Sequence, residues 1–226
     1  MAALVWDNTG TRKYEAGVDH GVLYLAKGSD GSTPYLGGVA WNGLTAVTES
    51  PSGAEATDFW ADNIKYGSLR SAEAFGGTIE AYTYPPEFNQ CNGFNALMSS
   101  VSGVMIGQQT RERFGFCYRT QIGNDETDNL GYKLHLIYGA TASPSERAYN
   151  TINDSPDAVT FSWEFDTNPV AITKSGYTNL KPTAMIEIDS TLIPSAKLSA
   201  IETILYGSDS SAPRLPLPDD LIDILA

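Results

Sequence analysis

The sequence predicts a mainly β fold, a β-sandwich or barrel with one flanking α-helix and one long inter-strand loop, and three observations carry that expectation. Apolar residues alternate with polar ones at a period of two in several separate segments, the pattern of strands with one buried face. Twelve Tyr, eight Phe and four Trp stand beside 21 Gly in 226 residues, a composition that suits strands joined by turns. Only one segment carries a clear helical stripe.

The elements follow in chain order. Strands are expected at 21–26 (GVLYLA) and 37–47 (GGVAWNGLTAV). A polar stretch over 48–74 then separates them from a strand at 76–84 (GGTIEAYTY). A loop of that length is uncommon in a compact domain and is usually functional or disordered. Disorder fits poorly, because Phe59, Trp60, Ile64 and Tyr66 are residues that seek burial. In RERFGFCYRTQ, Phe114, Phe116 and Tyr118 share one strand face, and Arg111, Arg113 and Arg119 are set on the other. GNDETDNLG, 123–131, reads as a solvated hairpin loop, since its Asn, Asp and Gly are what turns need and its spacing fails the EF-hand pattern. GYKLHLIYGA groups Tyr132, Leu134, Leu136 and Tyr138, and DAVTFSWEFDT groups Val159, Phe161, Trp163 and Phe165. A last strand is expected at 183–189.

The helix is expected over about 194–206: Pro194 suits a first turn, Leu198, Ile201 and Leu205 form the stripe, and Gly207 ends it. Residues 1–207 form one domain on this reading, for no charged or Ser/Gly-rich linker divides them. A Pro-rich tail, 208–226, follows, with an apolar cluster of Leu221, Ile222, Ile224 and Leu225; such a tail either is mobile or docks on the body. For a chain of 24.3 kDa, about 70% of the unfolded surface can be buried, enough for one sizeable core.

Charge and motifs exclude several functions. A net charge of −13 opposes stable binding to nucleic acid, which relies on Lys and Arg displacing counterions. The start has no basic segment followed by an apolar one, and eighteen apolar residues nowhere run together, so neither a signal peptide nor membrane insertion is expected. Cys91 and Cys117 match no metal spacing and point to reduced thiols of a cytoplasm. No nucleophile elbow, zinc-protease, phosphate-loop or dinucleotide motif is present, and no cofactor or metal is expected. His20, in a turn-like GVDHG, and His135, on the polar face of its strand, are read as structural. Glu49 and Glu55 form at most a weak candidate pair for glycoside hydrolysis, since nothing fixes their separation. Loop-borne Phe59 and Trp60 can fold back on their own core or anchor an interface.

Four blocks together carry a resemblance: residues 38–88, 106–125, 131–165 and 181–207. In order and with little interruption from Leu4 to Gly207, they resemble the major tail protein, the tail tube protein, of long-tailed, noncontractile bacteriophages. The tail after Ser208 has no counterpart in that pattern. The resemblance implies a tail-tube-type β-sandwich whose subunits form hexameric rings, stacked into the tube that conducts the genome from capsid to host. The chain would then be a structural virion protein without enzymatic activity, assembled in the host bacterial cytoplasm. Its partners would be further copies of itself, a tape measure protein, tail tip and tail terminator proteins, with DNA passing through the lumen but not held there.

The resemblance also implies that the loop over 48–74 reaches a neighbouring subunit. Its inter-subunit residues would be Glu49, Glu55, Phe59, Trp60, Asp62, Ile64, Lys65 and Tyr66; Arg111, Arg113 and Arg119, read from their own strand face, are either candidate inter-subunit charges or a solvated strand face. The alternative is a β-sandwich binding module of carbohydrate or surface-adhesin type, with Trp41 and Trp60 as a flat sugar platform.

Overall fold

A computed structural model describes residues 3–26, 35–98, 101–152 and 157–226. The chain is mainly β, built on one large antiparallel sheet with short helices. Its strands are β1 (Tyr14–Ala26), β2 (Tyr35–Trp41), β3 (Leu44–Glu49), β4 (Ser52–Gly53), β5 (Ala56–Ala61), β6 (Ile64–Arg70), β7 (Glu73–Ala74) and β8 (Gly76–Ala81). They continue as β9 (Asn95–Met98), β10 (Val101–Ile106), β11 (Phe114–Gly123), β12 (Gly131–Ala142), β13 (Phe161–Thr167) and β14 (Met185–Asp189). The helices are α1 (Phe88–Cys91), α2 (Ser195–Tyr206) and α3 (Pro218–Leu225).

The main sheet runs β2-β1-β11-β12-β13-β8-β3, and β14 joins it as a branch on β12. The ends of this path, β2 and β3, are separated in the chain by Asn42 and Gly43 alone. Laid flat, seven strands would set them about 29 Å apart. Three peptide steps span at most about 11 Å. The sheet is therefore rolled until its opposite edges meet at the corner, where the Leu44 side chain packs on Gly21 of β1 and a Cβ at Gly21 would overlap it.

Rolling gives the sheet an inside and an outside. Inside lie Leu23, Trp41, Ile79, Phe88, Phe114, Phe116, Trp163 and Phe165. Trp41 stands at 5.6 Å from the Trp163 ring and 4.5 Å from that of Phe88, in tilted and edge-on contacts that suit aromatic quadrupoles. Outside, α2, α3 and the segment leading into α3 cover the same strands, packing Leu198, Ile201, Leu205, Leu215 and Leu221 on Val22, Tyr24, Leu134, Leu136 and Tyr138. Central strands β11 and β12 are thus buried on both faces. The faces expected from alternation hold for Phe114/Phe116/Tyr118 and for Leu134/Leu136/Tyr138, which lie on opposite sides of the sheet.

Local differences from the sequence reading have physical causes. The expected strand over 37–47 is two strands broken at Asn42–Gly43, the corner just described. GVDHG is not a turn but part of β1, where two register shifts bulge the strand and Gly17 and His20 take positive φ, 69° and 51°. His135 is buried, not solvated on a polar face, because the strand beneath it is covered on both sides. The loop over 123–131 is a hairpin loop, with Asn124 Oδ1 accepting the backbone N–H groups of Glu126 and Thr127 at 3.1 and 2.8 Å.

The Pro-rich tail docks. The Pro213 carbonyl accepts the N–H groups of Gly37 and Gly38, each at 3.1 Å, so the segment closes part of the β2 edge. Tyr138 OH donates to the Pro216 carbonyl at 2.9 Å, and Leu215 sits on Gly115, where any Cβ would overlap its Cδ2. Pro218 opens α3, and Asp219 and Asp220 in its first turn suit the positive end of the helix. Arg214 Nη1 pairs with Asp220 at 2.6 Å, and Lys197 Nζ donates to the Ile224 carbonyl at 2.7 Å.

Removing a buried aromatic commonly costs about 3–5 kcal/mol. Trp163→Ala is therefore expected to lower the unfolding free energy by that order in urea denaturation, whereas Trp60→Ala, exposed, is expected to change it by less than about 0.5 kcal/mol. Equal stabilities for the two variants would contradict the placement of Trp163 in the core.

Candidate functional site

The stretch over 48–74 is an ordered two-stranded arm, not an irregular loop. β4 pairs with β7 at its root and β5 with β6 beyond, so the chain runs out and back between β3 and β8. The outer turn is Asp62–Asn63, both with positive φ, 50° and 61°, the geometry of the tightest hairpins and one that Asn and Asp tolerate. A bulge at Phe59/Trp60 leaves Tyr66 as the extra residue and adds twist.

Register and alternation give the arm two unlike faces. On one, Asp58 accepts from Ser68 Oγ at 2.5 Å and pairs with Lys65 at 2.8 Å, beside Trp60. On the other lie Thr57, Phe59, Ala61, Ile64 and Leu69, with the Phe59 ring 5.9 Å from that of Tyr66. The tip of the Phe59 ring lies over Gly67, where a Cβ would come within 2.6 Å of Cζ. Among the described residues nothing on the body covers this apolar face: Phe59, Ile64, Tyr66 and Leu69 are 41–69% exposed, and Trp60 on the opposite face is exposed too. Contiguous exposed apolar side chains of this kind are a property that protein interaction surfaces share.

Other exposed apolar segments accompany the arm. The β9–β10 hairpin exposes Leu97, Met98, Val104, Met105 and Ile106, and Leu4, Val5 and Trp6 stand out near the start of the chain. The accessible surface is 14198 Å², against about 10,000 Å² for a compact monomer of this mass. No sequence signal announced β9–β10, because apolar residues there do not alternate.

The expected site residues separate into two groups. Glu55, Phe59, Trp60, Asp62, Ile64, Lys65 and Tyr66 lie together on the exposed arm. Glu49 does not: at the end of β3 it turns inward, accepting from Tyr118 OH at 2.5 Å and facing His135 Nδ1 at 3.2 Å. That His135 contact is electrostatic rather than a well-aligned hydrogen bond, since Nδ1 has no partner of good geometry. The imidazole stacks on Tyr118 in parallel, centroids 4.5 Å apart, and its Nε2 meets Thr120 Oγ1 at 3.0 Å. Ser50 N–H donates to Gly76 O at 2.8 Å directly beside it, so this cluster ties down the arm's root.

The three arginines do not share a strand face. Arg111 and Arg113 precede β11; Arg111 donates to Asn92 Oδ1 and to the Ala142 carbonyl, each at 3.2 Å, while Arg113 is exposed. Arg119 forms a bidentate pair with Asp19 at 2.8 and 3.1 Å and lies over the Tyr132 ring, so its charge is used within the subunit. Of the three, Arg113 alone keeps the exposure that an inter-subunit charge needs. Trp41 is buried in the core, so the sugar platform of Trp41 and Trp60 does not exist. Glu49 and Glu55 likewise make no open carboxylate pair, as Glu49 is held by Tyr118.

Among the described residues, no group of three or more His, Cys, Asp or Glu is placed to hold a metal ion, and no helix is long and apolar enough to cross a membrane. Cys91 and Cys117 are free and buried, and burial pushes both thiols up to about 12. No protein-family model matches this sequence, and a search of curated proteins returns no relative.

His135 holds the Glu49 carboxyl below its ordinary value of 4.5, with Tyr118 assisting and partial burial opposing. A depressed folded value means that Glu49 contributes stability above its unfolded value and loses it as pH falls through the folded one. Glu49→Gln is expected to flatten the loss of stability below about pH 4.5, read as the urea midpoint against pH. An unchanged acid slope would show that Glu49 does not couple to the fold.

Proposed function

We propose that this chain is a self-assembling structural subunit of the tail tube type, forming hexameric rings that stack into the DNA-conducting tube of a noncontractile phage tail. The observation that carries the reading is the amphipathic β5–β6 arm, whose apolar face has no partner on its own body among the described residues. A monomer with so much uncovered apolar surface is incomplete, and further copies of the chain supply what it lacks.

Three features support the tube over a smaller closed oligomer. The arm, the β9–β10 hairpin and the segment around Trp6 are separate exposed surfaces, enough for contacts both around a ring and between rings. β14 is a terminal strand that can accept a further one. The net charge of −13 suits a wall past which DNA must move, since acidic surfaces repel phosphate. A tape measure protein, a tip complex and a terminator would supply the length control that an open-ended stack lacks. Such a subunit performs no catalysis and acts in the virion.

Negative-stain electron microscopy with light-scattering mass, over rising concentration, is the test. Rings or hollow tubes are expected from the whole chain, and a folded β monomer with no polymer from a variant lacking residues 50–72. Residues Glu73–Phe75 can still close β3 onto β8 in that variant. Tubes formed without the arm, or a whole chain monodisperse as a monomer at every concentration, would overturn the reading.

A further inference from the structure

Beside the branch strand β14 lies an apolar groove of about 660 Å³, floored by Ile186 and Ile188 and walled by Leu180, Leu192, Ile193 and α3. The wall supplied by α3 belongs to the docked tail, with Leu221 packed inward and Leu225 on the open side. β14 pairs with β12 along one edge, and among the described residues no strand pairs with its other edge. A groove of this kind joins two needs, apolar side chains to fill it and an extended backbone to pair with the strand beside it.

Resting on the self-assembly reading, we propose that this groove receives the β5–β6 arm of a second copy of the chain, with an arm strand added to the free edge of β14. The arm meets both needs. Its face of Phe59, Ile64, Tyr66 and Leu69 is apolar and uncovered, and β5 and β6 each keep one unpaired edge. The six residues of β5 match the five of β14. Because the arm is already a paired hairpin, docking it requires little further ordering, whereas residues 4–6 have no regular structure and would have to be ordered on binding.

Reach, area and charge agree. From Ser50 to Asp62 the arm spans up to about 40 Å. A body of this length has a radius of gyration of only about 17 Å. Its exposed apolar side chains offer roughly 500 Å² toward the ~800 Å² per partner of a stable interface, and strand pairing supplies more. On α3, Asp220 pairs with Arg214 and Asp223 with Lys174, while Asp219 accepts from Thr173, so two of the three rim carboxylates are already balanced by cations of the same subunit. Lys181, lining the groove, has no ion pair among the described residues and can meet the acidic arm tip at Asp62.

Single-cysteine cross-linking tests this on the whole chain, since the native Cys91 and Cys117 are buried. Ala61→Cys, on the apolar face of the arm, and Leu192→Cys, both exposed positions, are mixed under assembling conditions with a short bismaleimide. A cross-linked heterodimer in the mixture, absent from either variant alone, is expected. Leu192→Asp with Leu225→Asp, both exposed, is expected to keep the monomer's circular dichroism and melting temperature while losing all species above monomer. Assembly without that cross-link, or with a Val5→Cys to Leu192→Cys cross-link in its place, overturns the groove assignment and leaves self-assembly standing. Failure of the unmodified chain to assemble at any concentration overturns both.

Discussion

The two-residue corner at Asn42–Gly43 is the constraint on which the rest of the structure depends. By joining opposite edges of a seven-strand path it forbids a flat sheet, and a rolled sheet must fill its interior. That interior is where Trp41, Phe88, Phe114, Phe116 and Trp163 meet. The outer face of the same strands remains apolar over Tyr24, Leu134 and Tyr138, which is why α2 and the C-terminal segment lie where they do.

Apolar residues in this chain fall into two populations with different fates. Those that alternate within β1, β8, β11, β12 and β13 reach the roll or its helical cover. Those of β5, β6, β9 and β10 alternate or run together on surfaces that the body leaves open. The division also explains the cost structure of the site: Glu49, His135 and Tyr118 spend polar groups near the core to fix where the arm leaves the body, while the arm itself contributes little to the monomer's stability. A fixed root under an exposed tip holds the arm in one pre-organised geometry.

Most of the β-rich body was legible in the sequence because burial on one face imposes alternation, as in Phe114/Phe116/Tyr118 and Phe161/Trp163/Phe165. The α2 stripe and its Gly207 stop were legible for the same reason, and the positive φ of 80° at Gly207 is one that glycine accommodates. The pairing of β5 with β6 was not legible, although Asp62–Asn63 is a turn signal, because the stretch lacks the Gly usually expected there and its apolar residues face no core. The partners of Glu49 and Arg119 were illegible on other grounds: both are set by residues far away in sequence, brought near only when the sheet rolls.

The docked tail has a consequence for the order of events in synthesis. Pro213 caps Gly37 and Gly38, and Leu215 sits on Gly115, so residues near the end of the chain close an edge laid down near its beginning. Contacts of such sequence separation form late, and a nascent chain emerging from the ribosome carries β2 with that edge unpaired until the segment around Pro213 has been made. The rolled sheet is therefore closed along this edge only once the segment around Pro213 and Leu215 has emerged.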